Sequence, residues 1–536
     1  MTIPESVIID RKNRRFSWSK AKLGAMWLAV LAVAVGTVLP VAATAAGNDR
    51  SEGVPAVVLP FPELRFDRPG AVPALERSLM EQAADYVTKN QLAQFSVPRE
   101  PRKGDTPGKQ AAEAMKLPAV LKYQYAFGSD SELTYNKNPD LDGRVRDDTI
   151  IFAPTLFGLL TYRPYAWLDT TLELTAERQI ALQEEDRVVL PDGSVTLKEK
   201  KRLSLLVDQA NVTFKKLGPF AITVGRRNYE DERLWLYDVA LDGFHVNYKQ
   251  GDFHAEASVS REGYFDGELL FRVPRGNIDN FMLYMEYRGI EDNKLAAYAI
   301  QRNNRWTPDR PLHLGARMYG KPADRFNYWI ELAMTRGHDD ERHDFKGEAF
   351  DVGAQYRFLD LPLQPSVTLG YAFGTGDRDP NDNKNNEFRQ TGLQSNEGRF
   401  HGVTQFKTYG EMLDPELTNL RILTAGVGFR PAGNVFFDLV YHNYRLVEMA
   451  EGDLFSSGVT AQLNQDGMNR SKDVGNEIDI ILGFRNLFGF RKFGFEVRSG
   501  WFFPGKAYRN PEGDPDAPTG FRGADNAFSM LAVIIL

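Results

Sequence analysis

The chain has 536 residues, a formal net charge of −7, 42% hydrophobic and 12% aromatic residues, and no cysteine. A mean hydropathy of −0.40 excludes a bundle of transmembrane helices. The missing cysteines exclude a disulfide scaffold, a thiolate metal site and a cysteine nucleophile, and no basic tract points to nucleic acid.

At the N-terminus Arg11, Lys12, Arg14, Arg15, Lys20 and Lys22 precede an apolar run from Leu23 to Ala46. A basic flank, an apolar core and a small-residue end at Ala43–Ala45 predict a secretory signal over residues 1–46. An uncleaved anchor helix is the competing reading; Pro40 and the alanine-rich end favour cleavage. Cleavage removes six basic and two acidic groups, which shifts the net charge of −7 to about −11.

Residues 47–117 are proline-rich, from Pro55, Pro60, Pro62, Pro69 and Pro73 to Pro98, Pro101 and Pro107. Between them Leu75, Leu79, Ala83 and Val87 recur at helical spacing. This predicts a short, partly helical periplasmic extension, read as a loose tether, with a pore plug or a partner-docking helix as the sharper alternative.

From residue 118 to 536 the pattern changes to short alternating strands. Candidates lie near 118–127, 149–162, 165–182, 203–216, 219–227, 233–249, 251–262, 280–288 and 295–303. They continue near 309–319, 326–338, 345–358, 365–375, 419–430, 434–448, 474–487, 492–503 and 524–536. The predicted fold class is all-β: a transmembrane antiparallel β-barrel of about 18 strands, in which only alternate residues face lipid.

Alternation assigns the faces. Tyr123, Tyr125, Phe127, Ile478, Ile480, Leu482, Phe493, Phe495, Val497 and Trp501 face lipid. Lys122, Gln124, Glu286, Arg288, Arg317, Glu331, Asp351, Arg357, Glu477, Asp479, Arg485, Glu496 and Arg498 face the lumen. An Arg facing lipid at midplane would cost about 2–4 kcal/mol, which enforces the sorting. The connections at Gly218–Pro219, Lys249–Gly251 and Pro431–Asn434 are tight and read as periplasmic turns. Those at 183–202, 263–279, 376–418 and 449–473 are long and polar, and read as extracellular or folded into the lumen.

The longest connection carries the function. Phe388 to Asn396 reads Phe-Arg-Gln-Thr-Gly-Leu-Gln-Ser-Asn, and Gly410 to Leu420 reads Gly-Glu-Met-Leu-Asp-Pro-Glu-Leu-Thr-Asn-Leu. These two phrases, in this order, closely resemble the alginate export porins of Gram-negative outer membranes. Val224 to Arg227, with Asp242 and Gly243 downstream, is similar to that family's Gly-Arg strand, and the likeness covers about residues 118–536. It implies a monomeric eighteen-stranded barrel with an arginine-lined, electropositive constriction that passes an anionic polysaccharide. Periplasmic synthesis and export proteins would be its partners. Arg389 and Arg399 carry over as pore residues, Arg227 and Lys122 more remotely; Arg288, Arg317, Arg485, Arg498 and Glu496 come from alternation. The extension at 47–117 has no counterpart in the family, and the polymer is not fixed.

A guanidinium fork matches a uronate carboxylate, and several spaced cations among acids favour passage over tight capture. The bland alternative for each strand arginine is a wall ion pair with Glu286, Glu331, Asp351 or Glu496. Two other functions compete. A general or anion-selective diffusion porin would also carry lumen arginines, but two long connections suit a polymer exporter better. A barrel hydrolase needs a nucleophile and a positioned base, and His254, followed by Ala-Glu-Ala-Ser, sits in an alternating strand instead. No cofactor is expected. The run Asp377 to Asn383 offers oxygen ligands for Ca²⁺ but lacks the glycine and closing glutamate of a binding loop, and reads as a solvated acidic loop.

Overall fold

The computed structural model describes residues 122–536 except 144–146, 184–186, 190–194, 198–202, 266, 271–276, 380–381, 401–403, 450–453, 462, 464–470, 488–492 and 509–523. The expected signal and the extension with its helix lie outside the described residues.

The barrel strands are β1 (Lys122–Lys137), β2 (Thr149–Ala153 and Thr155–Tyr165), β3 (Leu168–Arg178 and Ile180–Gln183), β4 (Leu203–Leu217), β5 (Phe220–Glu230) and β6 (Asp238–Gln250). Next come β7 (Phe253–Arg261), β8 (Ile278–Tyr287), β9 (Asn293–Asn304), β10 (Arg310–Ala323), β11 (Phe326–His338) and β12 (Glu348–Arg357). The last six are β13 (Ser366–Gly374), β14 (Leu420–Ala432), β15 (Val435–Leu446), β16 (Asp473–Arg485), β17 (Gly494–Pro504) and β18 (Ala527–Ile535). Among the described residues these eighteen strands pair antiparallel, each with its chain neighbours. β18 closes on β1 from Asp130↔Ile535 to Lys137↔Phe528. Closure pairs the last strand with the first, as a sheet that crosses lipid requires.

The period of two sorts the side chains as expected. Tyr123, Tyr125, Phe127, Leu283, Leu332, Leu369 and Ile478 are exposed on the outer face, while Glu286, Arg317, Glu331, Asp351, Glu477 and Asp479 are buried inside. Aromatic pairs ring the short-turn end: Tyr165–Trp167 at 5.3 Å, Phe220–Tyr248 at 5.0 Å, Tyr356–Phe358 at 4.9 Å and Phe429–Phe437 at 6.1 Å. Such a girdle marks a bilayer interface.

Two strand boundaries differ from the sequence reading. β1 continues past Phe127 to Lys137. The polar run Gly128 to Ser131 resembles a turn, but Ser129 and Leu536 exchange backbone hydrogen bonds of 3.2 and 2.9 Å, and the last strand holds it in the sheet. The second difference is at residues 231–237, expected to open a strand, which instead form a loop turned into the barrel. Asp231 nucleates this turn: its Oδ1 accepts from the amides of Leu236 (2.8 Å) and Tyr237 (3.1 Å), and its Oδ2 from Arg233 N (3.2 Å).

Candidate functional site

Among the described residues, two connections from the long-loop end, 231–237 and parts of 375–419, grip one another inside the barrel. Leu234, Trp235, Leu236 and Tyr237 are buried, as are Phe388, Leu393, Phe406, Tyr409, Met412, Leu413 and Leu417. Thr391 Oγ1 donates to Leu236 O, Asp238 N to Leu393 O (2.6 Å), and Asn396 N to Leu234 O (3.0 Å). Gln390 and Asn396 pair amide to amide at 2.9 and 3.0 Å, and Gln390 Oε1 also accepts from Leu417 N at 2.8 Å. The phrase Phe388 to Asn396 therefore folds the loop around the 231–237 turn. The Trp235 and Phe388 rings stack at 6.2 Å.

The second phrase docks the loop on the wall. Glu477 of β16 accepts from Met412 N (2.5 Å), Leu413 N (3.0 Å) and the Tyr444 hydroxyl (3.1 Å), and Asp479 Oδ2 accepts from Glu411 N (3.3 Å). Gly410 lies under the Tyr444 hydroxyl at φ +117°, a conformation a side chain would strain. Burial pushes the Glu411 carboxyl above the usual range, against the pull of Arg498.

Inward glycines give the loop its room. A Cβ on Gly500 would stand 2.7 Å from Met412 N, one on Gly426 would meet the Phe400 ring at 3.5 Å, and one on Gly483 would strike Thr404 Oγ1. Gly353 and Gly370 flank the Trp329 indole, which stacks on Phe400 at 6.3 Å.

The arginines sort into different surroundings. Arg317 is fully buried between Asp231 Oδ2 (2.5 Å) and Glu331 Oε2 (2.9 Å), over the Tyr298 ring. Arg485 pairs with Glu496, and Arg288 with Glu286, from the turn after β8 rather than from the strand. Arg498 faces Glu397 (3.5 Å) and Glu411 (3.9 Å). Arg227 contacts His245 Nδ1 at 2.6 Å and lies over Tyr229. Lys122 opens β1. Arg389 meets Asp309 of the β9–β10 connection at 3.4 Å and lies 5.1 Å from the ring of Phe345, in the β11–β12 connection.

Arg399 alone among the loop arginines expected in the pore keeps an exposed side chain, with Gln405 Oε1 at 3.1 Å. Loss of hydration lowers its pKa below the guanidinium norm; Glu496 opposes this, Arg485 adds to it, and Glu230 and Glu397 oppose it. It remains a cation at any physiological pH. The Asp377 and Asp382 carboxylates accept turn hydrogen bonds from Asn386 Nδ2 (3.2 Å) and Lys384 N (2.7 Å).

Alternation missed Arg233, which joins the two loops to the wall. It bonds Glu331 Oε2 (3.1 Å) and Asp351 Oδ2 (2.6 Å) and lies over Trp329. Burial works against its charge, but Asp351 and Glu331 together hold its pKa above the guanidinium norm. Residues 233–237 read Arg-Leu-Trp-Leu-Tyr, an apolar run that reads as the start of a strand; the contrary signal is the acidic cluster Glu230–Glu232 ahead of them.

A closed barrel with an apolar outer belt and a loop packed into its lumen is an outer-membrane porin-type protein. The family described as alginate export matches residues 114–518. The chain belongs to the alginate export family of outer-membrane barrels. It is 32% identical over 178 residues to the alginate production protein AlgE of Azotobacter vinelandii, a stretch covering 30% of this chain and 36% of that one. The alginate production protein AlgE of Pseudomonas aeruginosa is 30% identical over 172 residues, covering 29% and 33%. The matched stretch thus spans about a third of each relative's length. Among solved structures, OpdK of Pseudomonas aeruginosa with vanillate superposes with a TM-score of 0.48 at 12% identity, covering 77% of this chain and 98% of that one.

Proposed function

We propose that this barrel carries an anionic, uronate-type polysaccharide outward across the outer membrane and that Arg399 is a cation the polymer meets in the lumen. The observation that carries the reading is membership of the alginate export family over residues 114–518. Relatives in that family bear the name alginate production protein. The role is transport, and no residue is assigned to catalysis.

The chemistry is that of weak, repeated capture. A uronate polymer carries one carboxylate per sugar, and a guanidinium binds carboxylate through two parallel donors. Arg399 stands among Glu496, Glu230, Glu397 and Arg485, so its attraction is moderated by neighbouring acids. Moderated sites let a charged chain enter and leave. Arg317, Arg485, Arg288 and Arg498 have wall or loop carboxylates as partners and serve first to hold the lumen together. This narrows the electropositive pore from a lining of many arginines to Arg399 and the cations that polymer entry would uncover.

The test is single-channel conductance of the refolded full chain in planar bilayers, with oligouronate added. Oligouronate should interrupt the current, and Arg399→Glu should shorten the blocks at least tenfold, whereas Arg389→Glu should change them little. Anion selectivity without block would move the assignment to a small-solute porin. Blocks unchanged by Arg399→Glu would remove Arg399 from the pathway.

A further inference from the structure

The outer wall carries an unusual row. On four consecutive strands the residues Arg226, Asp242, Arg261 and Asp279 are register partners of one another. All four share the parity of the lipid-facing row beneath them, Val224, Phe244, Val259 and Phe281, whose side chains are exposed. The ladder is ion-paired: Arg226 meets Asp242 at 3.1 Å and Arg261 meets Asp279 at 2.5 Å. At about 3.4 Å per residue and a tilt of about 40°, Asp242 stands about 20 Å above the β6–β7 turn, near the top of a belt about 25 Å tall.

Charges at that height are poorly solvated by lipid, and here half the ladder is covered. The connection after β7 turns back across the outside of β6 and β5. Phe265 N donates to Asp242 Oδ2 (3.0 Å), and Arg226 and Asp242 are buried. The connection then reaches β4 above its last pair with β5, Ala210↔Arg226. There Val207 N donates to Gly267 O (2.7 Å) and Leu269 N to Leu205 O (2.8 Å). Glu268 Oε1 accepts from Leu205 N (3.1 Å) and Leu270 N (2.9 Å). The strip completes the ladder where β5 has left β4, which removes an open edge.

Having covered the charges, the strip exposes large apolar groups: Tyr264 is 63% exposed, Phe265 59%, Leu269 54% and Leu270 47%. Tyr264 packs edge-on to Phe265 at 4.8 Å, and Arg261 lies 5.9 Å from the Tyr264 ring centroid. Four large apolar side chains on a long-loop-end connection, continuous with the lipid-facing row, have the character of a membrane-interface anchor.

We infer that residues 262–265 and 267–270 form a lipid-contacting strip that lies in the outer leaflet. Tyr264, Phe265, Leu269 and Leu270 seat among acyl chains, and Arg261 stands at the level of the headgroup phosphates. The barrel thereby reaches its outer interface with a loop instead of a girdle carried by strands. The proposal is independent of what the lumen transports.

The absence of cysteine makes the test direct. Phe265→Cys and Leu269→Cys, each carrying a nitroxide spin label, are placed in the full chain reconstituted in phosphatidylglycerol–phosphatidylethanolamine vesicles. Val259→Cys serves as the lipid-facing reference and Asp252→Cys as the aqueous one, with heat-modifiable gel mobility as the check on folding. Power saturation should show both strip labels more accessible to oxygen than to a water-soluble nickel chelate, at a depth shallower than Val259→Cys. Chelate accessibility matching Asp252→Cys would overturn the proposal, because the strip would then face water. Poor accessibility to both reagents would also overturn it, since protein, such as a second copy of the chain, would then cover the strip. Two independent positions keep the test decisive if one variant fails to fold.

Discussion

Trp235 and Tyr409, 174 residues apart, meet inside the barrel through a 2.8 Å hydrogen bond from the indole Nε1 to the phenolic oxygen. The Tyr409 hydroxyl in turn donates a hydrogen bond to Asp351 Oδ2 at 3.2 Å. One bond thus joins two loops, and the next joins both to the wall of β12. Arg233 bonds the same Asp351 oxygen. On the proposed function a polymer passes this level only if the linkage yields, so its strength sets how tightly the resting lumen is filled.

Trp235→Phe should loosen the linkage without removing the stack on Phe388. The cost of one buried hydrogen bond is about 1 kcal/mol, or roughly a fivefold change in local opening. Hydrogen exchange of amides 406–413 should accelerate by about that factor while the strands stay protected. Tyr409→Phe should cost more, because it removes both bonds and leaves the buried indole donor without its acceptor, while Asp351 keeps Arg233. Equal exchange in both variants would show that the chain of bonds does not hold the loop.

Glu477→Ala should undock the second phrase of the loop. The variant leaves the amides of Met412 and Leu413 without their acceptor, at about 1–3 kcal/mol for each group that stays buried, while the Tyr444 hydroxyl keeps the Tyr409 carbonyl. Glu477→Gln should fall between, since an amide offers one oxygen where the carboxylate offers two. The readout is the frequency of spontaneous openings in a planar bilayer, which should rise in the order wild type, Gln, Ala.

Arg317→Met should be the most damaging single change in the lumen. It leaves Asp231 without its cation and Glu331 with Arg233 alone, and breaking a buried pair in this way costs about 3–5 kcal/mol. The triple change Arg317→Met, Asp231→Asn, Glu331→Gln should recover much of that stability in a urea unfolding curve taken in detergent micelles. Failure to recover would mean that Asp231 matters mainly as the acceptor that shapes the 231–237 turn.

Gly500→Val should push the loop off the wall, since a Cβ there comes within 2.7 Å of the Met412 amide. Conductance should increase and the thermal midpoint should fall, consistent with an overpacking cost of about 1–3 kcal/mol. Gly433→Val, at a turn position where nothing lies within 4 Å, serves as the silent control.

The loop should also respond to pH through Glu387. Burial pushes this carboxyl up to about 7 from 4.5, opposed by Arg389 and aided by Asp377 and Glu416. A carboxyl with a raised folded pKa binds its proton more tightly when folded, so its contribution favours the docked loop at low pH. That contribution declines as pH rises from about 4.5 to about 7 and is level above. Hydrogen exchange around Phe388, corrected for intrinsic rates, should lose protection across that window. Glu387→Gln should flatten the profile.

The barrel itself was legible in the chain because lipid imposes a rule on every second residue. A period of two, tight turns alternating with long connections, and eighteen segments sufficed to place Tyr123, Tyr125 and Phe127 outside and Glu331, Asp351 and Glu477 inside. That the longest connection would fold inward was also legible, from its length and from its two phrases. What the phrases do was not. Most of their residues proved to be packing and docking residues, with Gln390, Asn396 and Leu417 bonded together and Gly410 seated under Tyr444.

The sequence by itself determined the facing of most strand residues, because an uncovered charge in lipid is costly; the outward pairs Arg226–Asp242 and Arg261–Asp279 stand near the top of the belt. Only the tertiary structure decided which inward arginines are spoken for. Parity brings Arg317, Arg485, Arg498 and Arg227 to the lumen alike, but pairing depends on neighbours far away in sequence. Asp231 reaches Arg317 across 86 residues and Glu411 lies 87 residues before Arg498, each brought there by a loop whose path no local period encodes. The same reason hid Arg233. Its segment is an apolar run that reads as strand, and it became a lumen turn because Asp231 caps it and the loop from 388 to 396 wraps it, contacts that exist only once the barrel has closed.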